Sequence, residues 1–92
     1  MEKPRIAVVG AGLIGKNHIR LVSESKACAL AAIVDPFEAS ITLAREYGVP
    51  HFETLVELLD SGLADGVILA TPNNLHVQQA KLCIESRMPS SA

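Results

Sequence analysis

One turn near the start of the chain constrains its fold more than any other feature. The segment Gly10–Gly15 reads Gly-Ala-Gly-Leu-Ile-Gly, and it follows an apolar run, Ile6–Val9. A helical pattern comes next, with one face predicted to carry Ile14, His18, Leu21 and Val22. A strand, a Gly-x-Gly-x-x-Gly turn and a helix, in that order, are typical of a dinucleotide-binding unit. The alternative is a glycine-rich turn that binds nothing.

Each glycine of this turn has its own expected role. Gly10 lets the chain leave the strand in a tight turn, and Gly12 leaves room for a pyrophosphate to approach the backbone. Gly15 lets the new helix lie close to the sheet. The free N–H groups at the helix start, around Leu13 and Ile14, then face the phosphates, whose negative charge the helix dipole favours.

Length and composition narrow the class of protein. The chain has 92 residues, so we assign residues 1–92 to one small domain. A hydrophobic content of 49% and a charged content of 20% are typical of a globular protein. The net charge is −2 without a basic cluster, which argues against a nucleic-acid partner. No apolar run reaches the about 20 residues that a bilayer requires, and no signal peptide precedes the first strand, so we expect a cytoplasmic protein without membrane contact.

The cysteines and histidines carry no visible chemistry of their own. Cys28 and Cys83 lie among apolar neighbours, and we expect buried free thiols. His18, His51 and His76 show no metal-ligand spacing with each other or with the cysteines, so we predict no metal site. We expect His18 to be a partly buried packing residue. We find no convincing acid–base pair and assign no catalytic residue.

Apolar runs and helical patterns alternate along the rest of the chain. The predicted strands are Arg5–Val9, Ala27–Val34, Pro50–Glu53 and Val67–Thr71. The predicted helices are Leu13–Ser25, Pro36–Tyr47, Leu55–Ser61 and a last one that ends near Ser86. This alternation predicts an α/β fold, a Rossmann-type doubly wound parallel sheet with strand order 3-2-1-4 and helices on both faces.

Two capping boxes and a tail complete this picture. Asp35 and Glu38 are expected to cap the second helix, and Thr54 and Glu57 the third. The final residues, Met88–Ala92, are expected to form a polar tail.

Asp35 is the second signal for a dinucleotide. It lies twenty residues after Gly15, at the end of the second predicted strand. A carboxylate there accepts hydrogen bonds from both hydroxyls of an adenosine ribose and repels a 2′-phosphate. No Arg or Lys follows until Arg45, so we expect NAD rather than NADP as the cofactor. The alternative is that Asp35 only caps the next helix, although one oxygen can serve each role.

The segment after the fourth strand is the other place for chemistry. Thr71, Asn73 and Asn74 can donate and accept hydrogen bonds, and Pro72 stiffens the turn. In the order 3-2-1-4 this segment lies across the topological switch from the glycine turn, where ligands bind. Asn74 has a helix cap as its alternative role. His76 either reaches the cofactor or is a solvated histidine in the first helical turn.

These residues together resemble the glucose–fructose oxidoreductase, inositol dehydrogenase and MocA (Gfo/Idh/MocA) family. The matching pieces are Gly10–Gly15 with His18, then Val34-Asp35, then Ala70–Asn73 with His76. The resemblance implies an NAD- or NADP-dependent dehydrogenase that acts on sugars, cyclitols or related hydroxyl compounds. It also implies roles for the matching residues: Gly10–Gly15 would bind the pyrophosphate, Asp35 the adenosine ribose, and Thr71, Pro72, Asn73 and His76 the cofactor towards its nicotinamide.

The sequence departs from the family after Met88-Pro89. Family members continue with a fifth strand that ends in Glu-Lys-Pro and supplies a catalytic lysine, followed by a substrate domain, whereas this sequence reads Ser90-Ser91-Ala92. We therefore expect no substrate turnover by the 92 residues. We also expect a bare strand edge at Val67–Thr71 that promotes self-association. The alternatives are a non-catalytic module that senses a nucleotide, and an inert fragment.

Overall fold

The computed structural model describes residues 3–71 and 73–91, and for residues 73, 74 and 76 it describes the backbone alone. The strands within this part of the chain are β1 (Arg5–Val9), β2 (Ala29–Val34), β3 (His51–Phe52), β4 (Gly66–Leu69) and β5 (Ser90–Ser91). The helices are α1 (Leu13–Glu24), α2 (Ala39–Tyr47), α3 (Leu55–Ser61) and α4 (Asn73–Glu85).

The strands form one parallel sheet in the order β3-β2-β1-β4-β5. The predicted order 3-2-1-4 is confirmed, with β5 added beside β4. Val9 at the end of β1 lies level with Val34 of β2 and Leu69 of β4. The three central strands therefore end together, and the segments that follow them meet at one edge of the sheet.

The polar tail takes part in the sheet, which the sequence analysis did not predict. Ser90–Ser91 pairs with Val67 and Ile68, and the Val67 N–H donates to the Pro89 carbonyl at 2.9 Å. The expectation of a bare strand edge over Val67–Thr71 is therefore wrong along the part of β4 that β5 covers. This strand consists of two serines, so the sequence contains no apolar run or alternation that would predict it.

Two apolar cores cover the two faces of the sheet. Successive strand residues point to opposite faces, so neighbours in β1 and β2 belong to different cores. One core contains Ala7, Val9, Ala32 and Val34 with Leu55, Leu58 and Cys83 from α3 and α4. The other contains Val8 and Ile33 with Ile19, Val22 and Ala44 from α1 and α2. Helices therefore lie on both faces, as predicted.

The buried face of α1 differs from the predicted one. Gly15, Ile19 and Val22 are buried, whereas Ile14 is 66% exposed and Leu21 is 55% exposed. The reason lies at the first turn of the helix, where glycine rather than a large side chain faces the core. His18 is half-buried, as expected.

The start of α2 also differs from the prediction. The helix begins at Ala39 rather than Pro36, and among the described residues no side chain caps it at Glu38. The capping box of Asp35 and Glu38 is therefore wrong. Asp35 Oδ1 accepts from the Phe37 N–H, as a cap would, but Phe37 lies before the helix, and the Asp35 N–H donates to the Phe52 carbonyl rather than to Glu38. The second predicted box is confirmed: Thr54 Oγ1 accepts from the Glu57 N–H at 3.3 Å and donates to the Glu57 carboxylate at 3.1 Å.

Both cysteines are free thiols. Cys83 is fully buried, and this burial raises the pKa of its thiol, an effect that a hydrogen bond with Ser90 opposes. Cys28 is half-buried and precedes β2, which begins at Ala29 rather than Ala27. Among the helices that the structure describes, we find none whose length and hydrophobicity would let it span a bilayer.

Candidate functional site

An open cleft of about 1510 Å³ lies at the carboxyl ends of the central strands. Its walls come from the turn after β1, from the residues that follow β2 and the outer side of α2, and from the end of β4. Of the predicted site residues, it is lined by Gly10, Gly12, Leu13, Ile14, Asp35 and Thr71. The structure thus brings both sequence signals and the segment after the fourth strand into one cavity, at the switch point where ligands of such sheets bind.

Gly10 occupies a position that only glycine fits. Its φ is +100°, and a Cβ there would lie 2.9 Å from the carbonyl oxygen of Ala70. Its N–H donates to the Val34 carbonyl at 2.7 Å, which ties the turn to the end of β2. The backbone can therefore turn sharply out of β1 only because this residue has no side chain.

Gly12 borders open space at the start of α1. It is the N-cap residue, with φ −71°, and a Cβ added to it would meet nothing within 4 Å. Among the described residues, no side chain caps this helix and no acidic residue lies in its first turn. The N–H groups of Leu13 and Ile14 lie in that turn, where helix geometry provides no backbone acceptor. Exposed donors at a dipole's positive end favour an anion, and the open face of Gly12 leaves room for one.

Gly15 lies below the cleft rather than in it. It is buried, and a Cβ at this position would overlap the carbonyl of Gly10. The Ala70 side chain is the next neighbour, at 3.7 Å. Gly15 therefore lets α1 approach closely, as predicted, but the nearest backbone is that of the glycine turn rather than that of a strand.

Asp35 is held next to the glycine turn. Its side-chain Oδ2 accepts from the Ala11 N–H at 2.8 Å, and Oδ1 accepts from the Phe37 N–H at 2.9 Å. The residue is only 8% exposed, but it borders the cleft. A carboxylate oxygen has more than one lone pair, so these two bonds leave each oxygen able to accept a further one.

Thr71 continues the wall after β4. It is half-buried, and its hydroxyl donates to the Gln79 side-chain oxygen on α4. Pro72 lies outside the described residues, as do the side chains of Asn73, Asn74 and His76. The expectations for these four residues stay predictions.

The chain was then compared with known proteins. The model of the Gfo/Idh/MocA oxidoreductase family, NAD-binding Rossmann fold, matches residues 4–89. The chain belongs to this family.

Its relatives include proteins of known name. The rhizopine catabolism protein MocA of Rhizobium meliloti is 39% identical over 77 residues, which are 84% of this chain and 24% of that protein. An inositol 2-dehydrogenase of Mycolicibacterium smegmatis is 32% identical over 92 residues, 97% of this chain and 27% of that protein. The chain thus spans about a quarter of the length of the curated relatives that it matches.

Solved structures agree with the fold. The WlbA dehydrogenase of Bordetella pertussis, in complex with NADH and UDP-GlcNAcA, matches with a TM-score of 0.88 and 34% identity over 97% of this chain and 28% of that one. The scyllo-inositol dehydrogenase of Lactobacillus casei, with NAD(H) and scyllo-inositol bound, matches with a TM-score of 0.91 and 23% identity over 97% of this chain and 27% of that one. The second likeness concerns the fold alone.

Several features of this Gfo/Idh/MocA domain were not predicted from the sequence. Phe37, which was not predicted as a site residue, is 73% exposed at the rim of the cleft. Leu13 and Ile14, which were predicted for their N–H groups, also line the cleft and are 81% and 66% exposed. Large apolar side chains left open around a cavity are typical of a binding site. In the sequence, their positions just after Asp35 and Gly12 were the features from which a place at the cleft could have been inferred.

Among the described residues, no group of three potential ligands forms a metal site in the domain.

A buried polar network below Asp35 was also missed. His51 Nε2 lies 2.8 Å from the Asp35 carbonyl oxygen and 2.7 Å from Ser40 Oγ. Ser40 is 3% exposed, and its hydroxyl donates to the Phe37 carbonyl at 2.6 Å. The signal was weak, because it depends on the pairing of a two-residue strand with β2.

Proposed function

We propose that the cleft binds NAD and that the chain is the cofactor-binding part of an oxidoreductase acting on sugars, cyclitols or related hydroxyl compounds. One observation carries this proposal. The Asp35 carboxylate is bonded to the Ala11 N–H within the glycine turn, at 2.8 Å. The proposed ribose acceptor and the proposed phosphate cradle are therefore tied directly to each other, as a ligand that contacts both would require.

The pyrophosphate would lie against Gly12 and the start of α1. The open face of Gly12 supports this placement, as do the N–H groups of the first helical turn. A ribose hydroxyl would then donate to the Asp35 carboxylate. A smaller cavity of about 370 Å³ adjoins the cleft at Asp35 and Thr71, and the adenine would lie on its Asp35 side, beside Pro36.

The preference for NAD over NADP follows from charge. A 2′-phosphate on the ribose would face the Asp35 carboxylate, and like charges at this distance repel. The residues next to Asp35 in the cleft, Pro36 and Phe37, carry no positive charge that would offset this repulsion. Lys16 also lines the cleft, but it belongs to α1 and not to the residues that follow Asp35.

The substrate class rests on the relatives. Proteins named inositol 2-dehydrogenase are 32% and 31% identical to this chain.

The end of the cleft far from Asp35, at Thr71, would hold the nicotinamide, with Pro72, Asn73 and His76 as the further residues proposed there. Bound NAD supplies a hydride acceptor for oxidation of a hydroxyl carbon. This chain's own residues bind and orient the cofactor.

Calorimetric titration of the chain with NAD and with NADP tests the proposal. We expect saturable binding that is tighter for NAD. The variant Asp35→Asn should bind NAD about tenfold more weakly, because a charged hydrogen-bond acceptor is lost, and its preference for NAD over NADP should narrow.

The matched control is Asp60→Asn, which removes one exposed carboxylate from α3, outside both cavities. Both affinities should stay unchanged in this variant. A folded Asp35→Asn chain with wild-type affinity for NAD would contradict the proposed role of Asp35. A folded wild-type chain that binds neither nucleotide would contradict the proposed function itself.

A further inference from the structure

We infer that His51 is a positioning residue for the cofactor, acting through the backbone carbonyl of Asp35. This inference rests on the proposed function. His51 Nε2 lies 2.8 Å from the Asp35 carbonyl oxygen. This contact holds the main chain of Asp35, whereas the bonds from Ala11 and Phe37 hold its side chain.

The chemistry of the contact determines which ring nitrogen carries a proton. A carbonyl oxygen only accepts, so Nε2 must be protonated and must donate to Asp35. The Ser40 hydroxyl, 2.7 Å from the same nitrogen, is committed as a donor to the Phe37 carbonyl at 2.6 Å. Ser40 Oγ is therefore the second acceptor for the Nε2 proton. His51 thus acts as a donor shared between the end of β2 and the start of α2.

The Asp35 carbonyl needs such a donor because of where it lies. The Asp35 N–H still belongs to the sheet, donating to the Phe52 carbonyl at 3.0 Å. The next residue is Pro36, which fixes its own φ but has no N–H. The peptide between these residues leaves the sheet. In the part of the chain that the structure describes, the other donor near its carbonyl is the Ser40 hydroxyl at 3.3 Å, which already donates to the Phe37 carbonyl at 2.6 Å.

The orientation of this peptide decides where the carboxylate points. The His51 bond holds the carbonyl, and the bonds from Ala11 and Phe37 hold the carboxylate at 2.8 and 2.9 Å. Loss of the Nε2 donor frees the main chain to rotate towards another partner. The side chain would then lose its fixed place beside the glycine turn, and NAD would have to order it on binding.

The test compares two variants of equal side-chain length in nucleotide titrations of the full chain. His51→Gln places an amide N–H near the position of Nε2, whereas His51→Met fills similar space without a donor. We expect His51→Met to bind NAD about tenfold more weakly and to show a smaller preference for NAD over NADP. His51→Gln should stay within about twofold of the wild type.

A double-variant cycle separates positioning from general stability. In the Asp35→Asn background, His51→Met should change NAD affinity by less than about twofold, because the residue through which it acts is already altered. Val49→Ala is the matched control: it removes a half-buried side chain just before β3 without touching the Asp35 contacts, and it should keep wild-type affinity. If His51→Met does not fold, His51→Asn takes its place, because its shorter amide does not reach the carbonyl.

Each contrary result identifies what fails. Wild-type affinity in folded His51→Met, with Asp35→Asn still weakened, would overturn the inference alone. Equal weakening by His51→Met and His51→Gln would overturn it as well, since the hydrogen bond would not be the cause. An undiminished effect in the Asp35→Asn background would show that His51 does not act through Asp35. Absence of NAD binding by the wild type would instead overturn the proposed function.

Discussion

Gly12 and Gly15 are three residues apart, yet the surroundings of the two positions are opposite. A Cβ at Gly12 would enter open space in the cleft, whereas a Cβ at Gly15 would overlap the backbone carbonyl of Gly10. The first glycine therefore matters to a ligand and the second to the fold. Substitution by alanine can separate these two roles.

We predict that Gly15→Ala lowers the free energy of unfolding by about 3 kcal/mol, because the new methyl group would overlap the Gly10 carbonyl and the backbone would have to shift. Gly12→Ala should keep it within about 1 kcal/mol of the wild type, since a poorer N-cap and a stiffer unfolded chain have opposing effects. NAD affinity should fall about tenfold in Gly12→Ala, where the new methyl group occupies the phosphate approach. Urea unfolding and calorimetry measure the two quantities. Equal stability of the two variants would contradict this division of roles.

Single residues differ in how far the sequence predicts them. The place of Asp35 beside the turn follows from its spacing after Gly15 at the end of an apolar strand. Its partners follow only in part: Oδ1 accepts from the Phe37 N–H, as a cap would, whereas Oδ2 accepts from the Ala11 N–H, a contact that the spacing alone does not reveal. The contact of His51 with Asp35 depends on the register of a two-residue strand, which local pattern does not determine.

At the scale of elements, β5 pairs with the edge of β4 that we had expected to be bare. The Val67 N–H donates to the Pro89 carbonyl at 2.9 Å. The buried thiol of Cys83 has its hydrogen-bond partner in Ser90. The tail therefore covers both a strand edge and part of a core.

We predict that deletion of residues 89–92 exposes the Cys83 thiol. The measurement is its labelling rate by a thiol reagent in a Cys28→Ser background, where Cys83 is the remaining cysteine. Labelling should be slow in the 92-residue chain, because Cys83 is fully buried and burial raises the pKa of its thiol, which lowers the reactive thiolate fraction. It should be several-fold faster in the shortened chain. Equal rates in both chains would show that β5 contributes no protection.

Elements were predictable where a pattern of side chains defines them. β2 is a continuous apolar run and lies between two cores, as such a run predicts. α1 was predicted as a helix with the wrong buried face, because Ile14 and Leu21 look like core residues in sequence, whereas the structure leaves them exposed. A binding cleft accounts for Ile14, which lines it. Leu21 lies outside the stripe of Gly15, Ile19 and Val22 that α1 buries, so helix geometry turns it towards solvent.

At the scale of the whole molecule, the order of strands creates the site. β1 lies between β2 and β4, so the segments after these three strands meet at one edge. This topology could be predicted because strand–helix alternation and right-handed crossovers leave few arrangements. The chain corresponds to about a quarter of the length of its relatives, and the fold described above is that of this part.

The most direct test of NAD binding in this cleft is a titration of the chain with NAD, followed through its backbone amide chemical shifts. We predict saturating shift changes concentrated at four residues that line the cleft, Gly12, Leu13, Ile14 and Asp35. The amides of Asp60 and Ser61 in α3, which line neither cavity, should stay unchanged. Saturable changes confined to another surface, or none at high NAD concentration in a folded chain, would contradict binding at this site.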